Sequence, residues 1–102
     1  MAKKKTPHRI EWRQKARDDL RSIVRYIGKD SPTRARSFGQ ELRGKVLLLA
    51  EHPAMGRTGR PGLPDCVREL VAHPNYIMLY RVHEESRMVE FLRVKHAAQQ
   101  TP

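Results

Sequence analysis

Residues 67–96 read VRELVAHPNYIMLYRVHEESRMVEFLRVKH, and the fold follows from how this stretch is punctuated. Val67–Val71 is a short run of β-formers that ends at His73-Pro74-Asn75, where proline withdraws a backbone donor and asparagine favours a turn. Tyr76–Val82 is a second run, the polar stretch His83–Arg87 reverses the chain, and Met88–Val94 is a third. The pattern predicts a three-stranded antiparallel meander. Side chains alternate between the faces of a strand. In the last run Val89, Phe91, Arg93 and Lys95 share one face, while Met88, Glu90, Leu92, Val94 and His96 share the other. In the middle run Tyr76, Met78, Tyr80 and Val82 oppose Ile77, Leu79 and Arg81. Neither alternation is clean, so the pattern leaves open which face is covered.

A small sheet must have one face covered, and the cover has to come from upstream. Ala16, Leu20, Ile23, Val24 and Ile27 follow the three-and-four spacing of one helical face, with Gly28 as its expected stop. A second helix has a sharper start, because Ser31 suits the N-cap and Pro32 the first helical position. Ala35, Phe38, Leu42, Val46 and Leu49 form its apolar stripe, and Pro53 ends it just after His52. A tight turn at Asp30–Ser31 predicts an antiparallel helical hairpin. A short strand is expected at Arg9–Trp12. The fold class is α+β: a short N-terminal strand and a two-helix hairpin packed on a three- to four-stranded antiparallel sheet. One domain is expected over residues 9–99, between a basic disordered tail (1–8) and a short C-terminal tail (100–102).

Charge dominates the composition, since 21 Lys+Arg against 11 Asp+Glu give a formal net charge of +10 over 102 residues. A small domain with that excess projects a positive potential and favours an anionic partner. The apolar run Val46–Ala50 falls far short of the roughly 20 residues that span a bilayer, so no membrane partner is expected. No apolar segment follows Lys3, Lys4 and Lys5, which argues against a signal peptide. The lone cysteine, Cys66, has no partner within the chain and fits a reducing cytoplasm. Neither it nor His8, His52, His73 and His83 has metal-ligand spacing, and no phosphate-cradling glycine motif is present. No cofactor and no metal are expected.

The candidate chemistry lies on the sheet and on the glycine- and proline-rich loop Met55–Asp65 that leads into it. Arg68, Arg81, Arg93, Lys95 and His96 fall on the strands or at their ends, with Arg57 and Arg60 on the loop. Clustered guanidinium groups grip phosphates in two-pronged fashion. An imidazole at His96 titrates near neutrality and can move a proton, or it can simply bind the turning chain. Glu69 beside Arg68 is expected in a cross-strand ion pair, and Tyr76 and Tyr80 are expected in the core.

The order of short motifs is itself informative. Ala16-x-x-Asp19-Leu20-x-x-Ile23, Tyr26-Ile27 and Pro32-x-x-Ala35-x-x-Phe38 are followed by His52-Pro53-x-x-Gly56-Arg57. Then come Val67-Arg68-Glu69-Leu70-Val71, Tyr76-Ile77-x-x-Tyr80-Arg81-Val82 and Leu92-Arg93-Val94-x-His96-Ala97-Ala98-Gln99. From Ile10 to Gln99 the chain resembles the RelE/ParE superfamily of toxins from type II toxin–antitoxin systems. The resemblance implies a cognate antitoxin, acidic where it grips the toxin, and a growth-inhibiting activity. Two activities share this scaffold. A ParE-like member poisons DNA gyrase and is not an enzyme; this branch is the closer in motif order. A RelE-like member cuts mRNA on the ribosome, and His96, Arg68, Arg81 and Arg93 would then be catalytic. In either case Arg57, Arg60 and Lys95 are expected to bind the target. A third possibility is a module that binds its antitoxin without being toxic. Thr101 stands where relatives with this ending often carry tryptophan, and a lysine-rich catalytic stretch is missing.

Overall fold

A computed structural model describes residues 6–98. In chain order the elements are β1 (Arg9–Trp12), α1 (Gln14–Asp30), α2 (Pro32–Glu51), a single 3₁₀ turn (Pro53–Met55), β2 (Arg68–His73), β3 (Tyr76–His83) and β4 (Met88–His96). Lys3–Lys5, Gln99 and the tail 100–102 with Thr101 lie outside the described residues. The basic tail is expected to run as far as His8. His8 is buried, and its backbone N–H donates to the Ala50 carbonyl at 2.7 Å.

The hairpin turns on one residue. Ser31 donates its N–H to Ile27 at the end of α1, and its Oγ accepts from the Arg34 N–H at 3.1 Å to cap α2. Pro32 takes the first helical position as expected. Gly28 does not stop α1, which continues two residues further to Asp30. A β-carbon at Gly28 would sit 3.7 Å from that of Ala35, so the position lies where the two helices come close.

The sheet order is β1-β4-β3-β2. The β2–β3–β4 meander is antiparallel as expected, but β1 pairs with β4 in parallel, Ile10 opposite Val89 and Trp12 opposite Phe91. The sheet is therefore mixed. The helices cover the face that carries Tyr76, Met78, Tyr80, Val89, Phe91 and Val94.

Val94 shares that face with Phe91 because strand alternation breaks between them. Leu79 pairs with Arg93 and Tyr80 with Phe91, so β4 has one extra residue, Leu92, at this point. Such a bulge shifts the phase of every later side chain, and Leu92 packs on the opposite face. The alternation expected for 88–96 thus holds only as far as Phe91. The second face is not bare either. Leu63 from the long loop and Val67 pack there against Ile77 and Leu79, which leaves β3 buried on both sides through Tyr80.

Candidate functional site

The expected basic residues separate into distinct local environments. On the face away from the helices, Glu90 accepts from Arg81 Nε at 2.8 Å and Arg13 Nη1 at 2.9 Å, and lies 2.8 Å from His83 Nε2. Burial alone would raise the Glu90 pKa. The hydrogen bonds from Arg81, His83 and Arg13 outweigh it and bring the pKa down to about 2. The same Glu90 hydrogen bond holds the Arg81 guanidinium above its ordinary pKa.

A second carboxylate, Glu69, binds Arg60 Nη1 at 2.5 Å and Arg57 Nη2 at 3.2 Å. Backbone bonds in both directions between Arg57 and Glu69 bring the loop alongside β2. Glu69 therefore forms its ion pairs across to the loop, with Arg57, its β-bridge partner, and Arg60. Arg68 donates instead to the carbonyls of Gly56 at 2.7 Å and Ala54 at 3.3 Å, where it ties down the start of the loop.

Arg93 and His96 belong to a third region, between α1 and the end of β4. Asp19 accepts from Arg93 Nε at 2.7 Å, from Arg93 Nη2 at 3.0 Å and from the Val94 N–H at 3.0 Å. Burial pushes the Asp19 pKa up, but the Arg93 and Val94 hydrogen bonds and the charges of Arg93 and Lys95 hold it below the usual value. His96 is the last residue of β4 rather than one beyond it. Its ring meets Tyr76 edge-on at 5.1 Å, and its Nδ1 accepts from the Ala98 N–H at 3.1 Å. Tyr76 and Tyr80 are both buried.

The four residues expected to be catalytic do not converge. Tyr76, which pairs with His96, and Arg81 are separated by five residues of β3, or about 17 Å at roughly 3.4 Å per residue. Arg68 lies opposite Tyr80, and strand alternation puts the side chain of the next residue, Arg81, on the other face of the sheet. Arg93, Lys95 and His96 come together, beside Asp19, Ser22, Tyr26 and Tyr76, while Arg57 and Arg60 meet at Glu69. Asp19, Arg13 and Glu90 organise these environments, and clustering of basic residues in the sequence points to none of the three. The signal that could have found the two carboxylates was the excess of arginine on the strands, since half-buried guanidinium groups draw carboxylate partners. Among the described residues no three His, Cys, Asp or Glu side chains gather as metal ligands. Nor is any helix among them long and apolar enough to cross a membrane.

Comparison with known proteins gives a consistent result. A family model described as the ParE toxin of the type II toxin–antitoxin system parDE matches residues 10–101. Y4kP of Sinorhizobium fredii is 44% identical over 95 residues, covering 92% of this chain and 93% of the relative. Toxin RelE2 of Caulobacter vibrioides is 36% identical over 89 residues, covering 87% and 94%. Among solved structures, the ParDE system of P. aeruginosa aligns with a TM-score of 0.69 at 24% identity, over 90% of this chain and 98% of that one. The RelBE2 toxin–antitoxin complex of Mycobacterium tuberculosis aligns with a TM-score of 0.66 at 24% identity, over 96% and 100%.

Proposed function

Since the chain belongs to the ParE toxin family of type II toxin–antitoxin systems, we propose that it arrests growth by poisoning DNA gyrase and that a cognate acidic antitoxin neutralises it. One observation supports a binding inhibitor over a nuclease: of the four candidate catalytic groups, Arg68 and Arg81 lie apart from Arg93 and His96. General acid–base cleavage of RNA needs a proton-transfer group and phosphate-gripping cations within hydrogen-bond reach of one phosphate. Here Arg81, Arg57 and Arg60 are held by carboxylates and Arg68 by carbonyls, away from His96. A poison needs no such convergence, only a complementary surface. A net charge of +10 also suits an acidic antitoxin segment, by charge complementarity.

A ribosome-dependent endonuclease is the second reading, and the grouping of Arg93, Lys95 and His96 beside Tyr26 favours it. A supercoiling assay separates the two. Purified chain added to gyrase and relaxed plasmid should reduce supercoiling and, after denaturation, leave linear DNA from trapped cleavage complexes. Full supercoiling at saturating toxin, with no linear product, would remove the gyrase reading. Growth arrest on induction without antitoxin is incompatible with a non-toxic module.

A further inference from the structure

α1, Tyr76 and the end of β4 border an open cleft of about 480 Å³, within the roughly 300–1,000 Å³ typical of small-ligand sites. Its base is fixed by the Asp19–Arg93 pair described above. With three N–H groups bound to Asp19, that carboxylate does little to repel an incoming anion. The rest of the lining is rich in donors. Lys95 has no ion-pair partner among the described residues, and Ser22 offers a hydroxyl. Burial, with Tyr26 nearby, pushes the Tyr76 pKa up, so its hydroxyl stays protonated. Tyr26 itself is 68% exposed, a large aromatic side chain left open to solvent at the mouth of a cationic cleft.

We propose that this cleft binds one nucleotide unit of a single-stranded nucleic acid, its phosphate held by Lys95 and Ser22 and its base stacked on Tyr26. An acidic protein side chain would use the lysine but would have no need of the open ring. Aromatic stacking combined with a cation is the usual arrangement for unpaired bases, and the +10 charge draws the strand in. The inference deepens the gyrase reading by giving the toxin its own contact with a strand opened at the target. Binding to the isolated chain is measured without gyrase, so the two ideas fail separately.

The test is fluorescence anisotropy with labelled twelve-nucleotide oligothymidine and oligouridine, on the full chain at a fixed salt concentration near 0.1 M. Tyr26→Ala should weaken binding about ten-fold, and Tyr26→Phe should preserve it. Lys95→Ala should weaken it several-fold and lower the slope of affinity against salt. Arg87→Ala removes the same charge from the β3–β4 turn, at the far end of the hairpin, and should change affinity less than two-fold. Tighter binding of oligouridine would indicate that the site selects RNA, and the reverse DNA. Equal losses for Lys95→Ala and Arg87→Ala, or no loss for Tyr26→Ala, would overturn the site, because the charge would then act without a cleft. So would the absence of any binding to either oligonucleotide.

Discussion

Phe91→Ala should cost about 4 kcal/mol of stability, within the ~3–5 kcal/mol typical of emptying a buried aromatic site. Phe91 is fully buried and joins three parts of the fold. Its ring centroid lies 4.5 Å from that of Trp12 on β1 and 6.0 Å from that of Tyr80 on β3. Its own carbonyl accepts the Arg13 N–H at 2.9 Å where the chain leaves β1 for α1. The cavity would open between the parallel edge strand and the meander, which a surrounding sheet cannot close by collapse. For a domain of about this size each kcal/mol is worth roughly 4–8 °C, so the melting temperature should fall by roughly 15–30 °C. Phe91→Leu, which keeps most of the volume, should cost under ~1.5 kcal/mol. A thermal melt of both variants followed by circular dichroism checks this. Near-wild-type melting of Phe91→Ala would mean that the core is centred elsewhere.

Gly56→Ala should cost about 3 kcal/mol for a different reason. Its backbone is extended (φ −77°, ψ 163°), so the need for glycine lies in space and not in torsion. An added β-carbon would lie 2.6 Å from the Tyr80 hydroxyl, 2.7 Å from the Glu69 carbonyl oxygen and 2.8 Å from a Tyr80 ring carbon. None of these can give way cheaply. The Tyr80 hydroxyl accepts from the Gly56 N–H at 2.8 Å and donates to the Pro53 carbonyl at 2.8 Å, while Glu69 is paired along the strand. Moving the loop away would leave a buried N–H and a buried hydroxyl unsatisfied, at about 1–3 kcal/mol each. Arg68, which binds the Gly56 carbonyl, would lose its anchor too. Denaturant unfolding should therefore show a reduced midpoint with an unchanged slope. An unchanged midpoint would show that the loop is not locked to Tyr80.

These two residues mark what the sequence could and could not reveal. The meander was legible because Pro74 and the polar stretch His83–Arg87 separate three runs of β-formers. The second helix was legible because Ser31 and Pro32 announce its start. The parallel docking of β1 was not, since four residues, Arg9–Trp12, carry no information about their partner. Nor was the extra residue at Leu92. A two-against-one register leaves no mark in composition, yet it decides which face Val94 and His96 occupy. The same holds for the site. Arg68, Arg81 and Arg93 were legible as strand residues and His96 only as lying at a strand's end, but strand position does not say which carboxylate or carbonyl each guanidinium will find. Buried Glu90 and half-buried Asp19 made those choices through contacts far apart in sequence. Gly56 was legible only as a loop residue, because its requirement comes from Tyr80, 24 positions away.

The most direct test of the account, that this toxin acts by binding gyrase and not by cutting RNA, is to induce the chain without antitoxin and measure both kinds of damage in one culture. Chromosome breaks should appear as growth stops, while the 5′ ends of ribosome-bound mRNA stay unchanged. Intact chromosomes together with new, codon-phased 5′ ends on translating ribosomes would contradict it.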